Sequence, residues 1–162
     1  MLVDGVSYDV SFQDGSCIEV FSGCDSPQDF FFPVPLDALH ASLALGDQVF
    51  LGDFDSNPGL INGCTDDFLC SAWTPYTVGQ FGPVDAFLYS NVSDESSDTL
   101  SAGAEARDSS LARAPRDVWA VWSLSAVDVP EPATLGLLAT GLLGLWAARR
   151  KRARPQPAPT AR

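Results

Sequence analysis

Apolar and polar residues alternate at the start of the chain. Over residues 5–12 (GVSYDVSF), Val6, Tyr8, Val10 and Phe12 share one face of an extended segment. Asp14-Gly15 reads as a turn, because Gly accepts the positive φ a tight hairpin needs, and Cys17 to Phe21 alternates again. A β-hairpin is therefore predicted here. Pro33-Val34-Pro35 stops the aromatic run that follows. The period then changes: Leu36, Leu39, Leu43 and Phe50 recur at helical spacing, with Asp37 near the start. Gly46 is expected to end this helix early. Residues 52–80 are rich in Gly, Asn, Asp and Pro and predict a loop. Residues 83–90 (PVDAFLYS) predict a strand. Residues 91–116 carry six Ser, many acids and no aromatic side chain, the pattern of a flexible linker or long surface loop. Asp117 to Val127 (DVWAVWSLSAV) is apolar on both faces, which predicts a buried central strand. The expected fold is a small, β-rich α+β head with one helix, formed by residues 1–90 plus 117–128.

The pattern changes again at Val129-Pro130-Glu131-Pro132. The two prolines end whatever precedes them, while Pro132 and Glu131 suit the first turn of a new helix. Ala133 to Ala148 then runs for 16 residues without a charge. As a helix it spans roughly 24 Å, against about 30 Å of bilayer hydrocarbon. Trp146 suits an interface, and Arg149, Arg150, Lys151, Arg152 and Arg154 form a basic cluster whose long side chains snorkel outward. A single transmembrane helix is expected, with the basic end cytoplasmic and the head on the opposite side. A buried core helix is the competing reading. It fits poorly with a segment that has no polar face and runs directly into like charges. Gly136, Thr140 and Gly144 form a small-residue ridge, better read as filler than as a helix-pairing face. Residues 153–162 (ARPQPAPTAR) have the composition of a disordered, Pro-rich tail.

These residues carry a resemblance. Val-Pro-Glu-Pro-Ala-Thr-Leu, a Leu/Gly-rich helix and an Arg-rich end, in that order over residues 129–152, resemble the PEP-CTERM sorting domain of Gram-negative, exopolysaccharide-producing bacteria. The resemblance implies an exported protein held in the inner membrane by its tail. It implies an exosortase-type membrane cysteine protease as partner, cutting near Pro130, Glu131 and Pro132 and passing the protein to the surface or the extracellular polysaccharide. The stretches LVDGVSYDVSF, Cys-Ile-x-Val-Phe-x-Gly-Cys-Asp and Asn-Gly-Cys are similar to ectodomains that precede such tails, which implies no activity. An exported protein needs an N-terminal signal. Met1 to Val20 contains Asp4, Asp9, Asp14 and Glu19 and has neither a positive nor an apolar leader region. The signal is therefore expected upstream of Met1; the competing reading makes the C-terminal helix a tail anchor.

Charge narrows the partners. Residues 1–128 hold 20 acids against Arg107, Arg113 and Arg116, and the only Lys of the chain is Lys151. Such a head repels nucleic acid and anionic lipid. The four cysteines form two close pairs, Cys17/Cys24 and Cys64/Cys70. An even count in a small exported domain favours disulfides, and local pairing is the simplest of three connectivities. The spacings and the absence of a nearby His suit zinc poorly.

Little else in the sequence bears chemistry. His40, the sole histidine, falls at a polar helical position with no nucleophile placed beside it and reads as a solvated surface residue. No G-x-S-x-G elbow, Walker loop or dinucleotide fingerprint is present. Asp53, Asp55 and Asn57 open a calcium-loop-like pattern, but Pro58 and Cys64 stand where that pattern needs Gly and Glu. A looser, weak calcium site adding Asp66 and Asp67 remains, against the reading of an acidic turn whose side chains cap backbone groups. Asn91-Val92-Ser93 fits a glycosylation sequon. The expected role is structural or interactive, with no catalysis and no cofactor beyond weak calcium. The alternatives are a calcium- or glycan-binding surface module and a polysaccharide-acting enzyme.

Overall fold

The computed structural model describes residues 1–79, 82–93 and 98–126. The head forms one unit over Met1–Ser125. Among the described residues six strands make a single sheet: β1 (Leu2–Val3), β2 (Val6–Gln13), β3 (Leu69–Val78), β4 (Pro83–Val92), β5 (Thr99–Ala106) and β6 (Asp117–Leu124). Their spatial order is β1-β2-β6-β3-β4-β5. All neighbours are antiparallel except β3 and β6. The last strand thus lies inside the sheet, where its two apolar faces meet two different layers.

One face is covered by α2 (Pro35–Gln48). The sequence places this helix correctly but not its buried side. Leu36 and Leu43 are 57% and 43% exposed, whereas Ala38, Ala41, Ala44 and Leu45 are buried. Small side chains let the helix lie close to β3 and β4. Gly46 is part of that contact. The helix continues through it to Gln48, and Gly is required there because a Cβ at position 46 would sit 2.0 Å from the Tyr89 hydroxyl. Phe50, Ile61, Cys70, Ala72, Val118, Ala120 and Trp122 complete this core.

Among the described residues the other face carries no long helix. A single turn, α1 (Cys17–Val20), and the 3-10 turns Pro27–Asp29 and Leu111–Arg113 cover it. Cys17, Cys24, Phe30, Trp73, Val84, Ala86, Leu111 and Trp119 are buried together there. Trp119 is fully buried, and its Nε1 donates to the Gly15 carbonyl at 3.0 Å. Trp73 Nε1 donates to Asp117 Oδ1 at 2.9 Å.

Four expectations are corrected. The hairpin lies one Asp-Gly earlier: Asp4 and Gly5, both at positive φ, join β1 to β2, with Val3 opposite Val6. Residues 17–20 are helical because Ser16 and Glu19 form a capping box. The Ser16 N–H and Oγ both donate to Glu19 Oε2 at 2.8 Å. The supposed loop at 52–80 contains α3 (Asp53–Ser56), a 3-10 turn at Pro58–Leu60 and all of β3. The supposed linker at 91–116 contains β5, which pairs with β4 from Ser90↔Thr99 to Pro83↔Ala106. Its small residues are a packing requirement, since a Cβ on Gly103 would lie 2.8 Å from Leu88 Cδ1 and 3.2 Å from the Trp73 ring.

Candidate functional site

Each cysteine pair closes locally, Cys17 with Cys24 and Cys64 with Cys70, at Cα separations of 5.8 and 5.9 Å. The first bridge ties the loop after β2 onto Trp119 and Phe30. The second brackets the Asp66-Asp67 turn at the start of β3. There the Arg116 Nε donates to Asp66 Oδ2 at 2.8 Å, and the N–H groups of Phe68 and Leu69 donate to its Oδ1. Arg116 first, then these N–H groups, hold the Asp66 carboxyl below the usual carboxylate range. Glu19 is lowered in the same direction by the Ser16 N–H and hydroxyl.

The residues of the calcium-loop reading fall in different local settings. Asp53 and Asp55 belong to the helical turn α3, and the Asp66 carboxylate is paired with Arg116. Among the described residues no three His, Cys, Asp or Glu side chains are grouped to hold a metal. What does converge is smaller and mixed. A Cβ placed on Gly59 would lie 2.6 Å from Asp67 Oδ1 and 3.4 Å from both Asn57 Oδ1 and the Asp66 carbonyl oxygen. Asn57 Oδ1 is buried and accepts no hydrogen bond.

His40 lies on α2, partly exposed, its Nδ1 2.8 Å from Asp4 Oδ2. Among the described residues no Ser or Cys hydrogen-bonds to it. The sequon fails on burial: Asn91 is 0% exposed and its Nδ2 donates to the Phe54 carbonyl at 2.7 Å, so a glycan has no access in the folded head. Tyr89 faces Gly46 and donates to Asp98 Oδ2 at 3.3 Å. Burial, then the nearby Asp98 charge, pushes its phenol up to about 12.

One cleft was not legible in the sequence. The parallel pairing of β3 and β6 covers only Ser71–Trp73 and Asp117–Trp119. Beyond it β3 follows β4 and β6 follows β2, so the sheet forks at the carboxyl ends of its one parallel pair. Pro75, which has no N–H, stands on one arm, and Ala120 to Trp122 on the other. The segment Gln28–Phe32 lies in the fork beside Phe21, leaving a cavity of about 460 Å³. The Gly-rich and Phe-rich segments gave no hint of it, because the fork depends on a long-range strand pairing.

The remaining candidates, Val129, Pro130, Glu131, Pro132 and the cluster Arg149, Arg150, Lys151 and Arg152, lie outside the described residues, as do the expected membrane helix and Pro-rich tail. Among the described residues no helix is long and apolar enough to cross a membrane. Here sequence comparison speaks directly: residues 128–152 match the family model of the PEP-CTERM protein-sorting motif. The chain therefore carries the sorting signal of an exported protein that an exosortase recognises and processes at a membrane. No curated protein and no solved structure matches the chain.

Proposed function

We propose that this chain is a non-catalytic envelope or matrix protein. Its head folds and is oxidised outside the cytoplasm while residues 133–148 hold it in the inner membrane. Cleavage near Pro130–Pro132 then passes the head to the cell surface or the extracellular polysaccharide. The observation that carries this reading is the sorting-motif match at 128–152. A head stapled by two disulfides supports it, since such bridges persist in oxidising compartments. Fractionation of cells expressing Glu131→Ala beside the wild type tests it. The wild type should leave the inner membrane and the variant should accumulate there. Equal distribution of the two would remove the role given to the motif.

A second reading rests on the oxygens beside Gly59. A carboxylate, an unpartnered carboxamide oxygen and a carbonyl are the donors a hard cation takes. On this reading Asn57, Asp66 and Asp67 bind calcium in the millimolar range, and Asp53 and Asp55 do not take part. Calcium at tenfold excess over such a dissociation constant would stabilise the head by about 1.4 kcal/mol. Asp67→Asn should abolish that gain. An unchanged melting temperature with calcium and with chelator would dismiss the reading.

A further inference from the structure

We propose that the cleft in the fork between β3 and β6 binds an organic cation, an ammonium group carrying apolar substituents. The inference holds whether or not the tail is processed. Small-molecule sites are concave, lined mainly by apolar and aromatic side chains with a few placed polar groups. At about 460 Å³ the cavity has the size of a small-molecule site. Its walls are unusually aromatic: Phe21, Phe30, Phe31, Phe32 and Trp122 all contribute. Phe31 is 41% exposed at the rim, its ring edge-on to Tyr8 and Phe32 at 5.5 and 5.0 Å.

Charge decides the class of ligand. Asp29 is the one charged residue in the lining, and no basic residue lines the cavity. Asp29 Oδ2 and Asp25 Oδ1 each lie 3.6 Å from a Cβ built on Gly23, so two carboxylates stand together beside the cleft. Among the described residues the ion pairs are Asp4–His40 and Asp66–Arg116, so neither Asp25 nor Asp29 meets a cationic side chain. Asp29 Oδ2 accepts the N–H groups of Asp25 and Ser26. Aromatic faces carry negative quadrupole charge, and rings beside a carboxylate attract an alkylated ammonium while repelling anions. The acidic head adds a long-range field of the same sign.

The test titrates the full-length protein with choline chloride and with its uncharged isostere 3,3-dimethyl-1-butanol, against sodium chloride at equal ionic strength. The readout is the indole N–H resonance of Trp122, assigned from Trp122→Phe. Choline should give a saturable shift and bind roughly tenfold more tightly than the isostere. Phe31→Ala, at an exposed rim position, should abolish the shift without unfolding the head. Asp29→Asn should weaken binding several-fold; because Asp29 also holds its own turn, Phe31→Ala is the deciding variant. No saturable shift with choline, or equal binding of choline and the isostere, would overturn the proposal. A saturable response to methyl α-glucoside but not to choline would also overturn it and assign the cleft to a glycan.

Discussion

The two faces of the sheet are built by opposite means. One is covered by a 14-residue helix whose alanines bring it close to β3 and β4. The other is covered by short turns held down by Cys17–Cys24, with two tryptophans and Phe30 beneath them. A helix fixes its own backbone through internal hydrogen bonds, so its face needs only matched shape. A turn-rich segment has few such bonds and depends on a covalent staple and on large side chains. The lesson concerns location as well as stability: the cleft opens at the fork, where Phe30 of the stapled face meets Phe32, Ala120 and Trp122 of the helix-covered face.

The largest effect expected is from Trp119→Ala, which empties the centre of the stapled face and removes one of the two hydrogen bonds to the Gly15 carbonyl, leaving the one from the Leu111 N–H. It should cost about 3–5 kcal/mol in chemical denaturation. Replacing a bridge with serines should come next. The bridges close loops of similar length, with sequence separations of seven and six, so chain entropy assigns each about 2.5 kcal/mol. Any difference between the two variants therefore measures packing. The account expects loss of Cys17–Cys24 to cost more, because that loop has no long element to hold it. Equal losses would break the contrast between the faces.

Gly46→Ala probes the helix face from the other direction. Its Cβ would enter the Tyr89 hydroxyl, so overpacking of about 1–3 kcal/mol is expected, where an exposed helical Gly→Ala change would stabilise. The smallest effect is alkaline. Tyr89 titrates near 10 when unfolded and at about 12 in the fold, which favours the neutral phenol. Its contribution is complete below pH 10 and is lost as pH rises from 10 to 12. Tyr89→Phe should flatten that part of a stability–pH curve.

The same contrast explains what the sequence disclosed. The strand at 117–124, the strand at 83–92, the helix and both cysteine pairs follow from local periodicity and spacing. β3 and β5 did not. β3 buries Cys70 and Ala72 on one side and Trp73 on the other and contains Pro75, so neither alternation nor propensity marks it. β5 reads as a linker because its partners demand small residues at Gly103. Ser16-x-x-Glu19, a readable capping signal, was outweighed by the alternating run around it. The sorting motif was fully legible, being a linear signal. The aromatic cleft was not, since it is made by a fork that only the assembled sheet defines.

The measurement that tests the central claim most directly is the intact mass of the native protein from fractionated cells, alkylated with and without prior reduction. The account requires a species ending near Pro130–Pro132, found outside the inner membrane, whose four cysteines alkylate only after reduction. A species that keeps residues 133–162, stays in the membrane and carries four thiols that alkylate without reduction would contradict it.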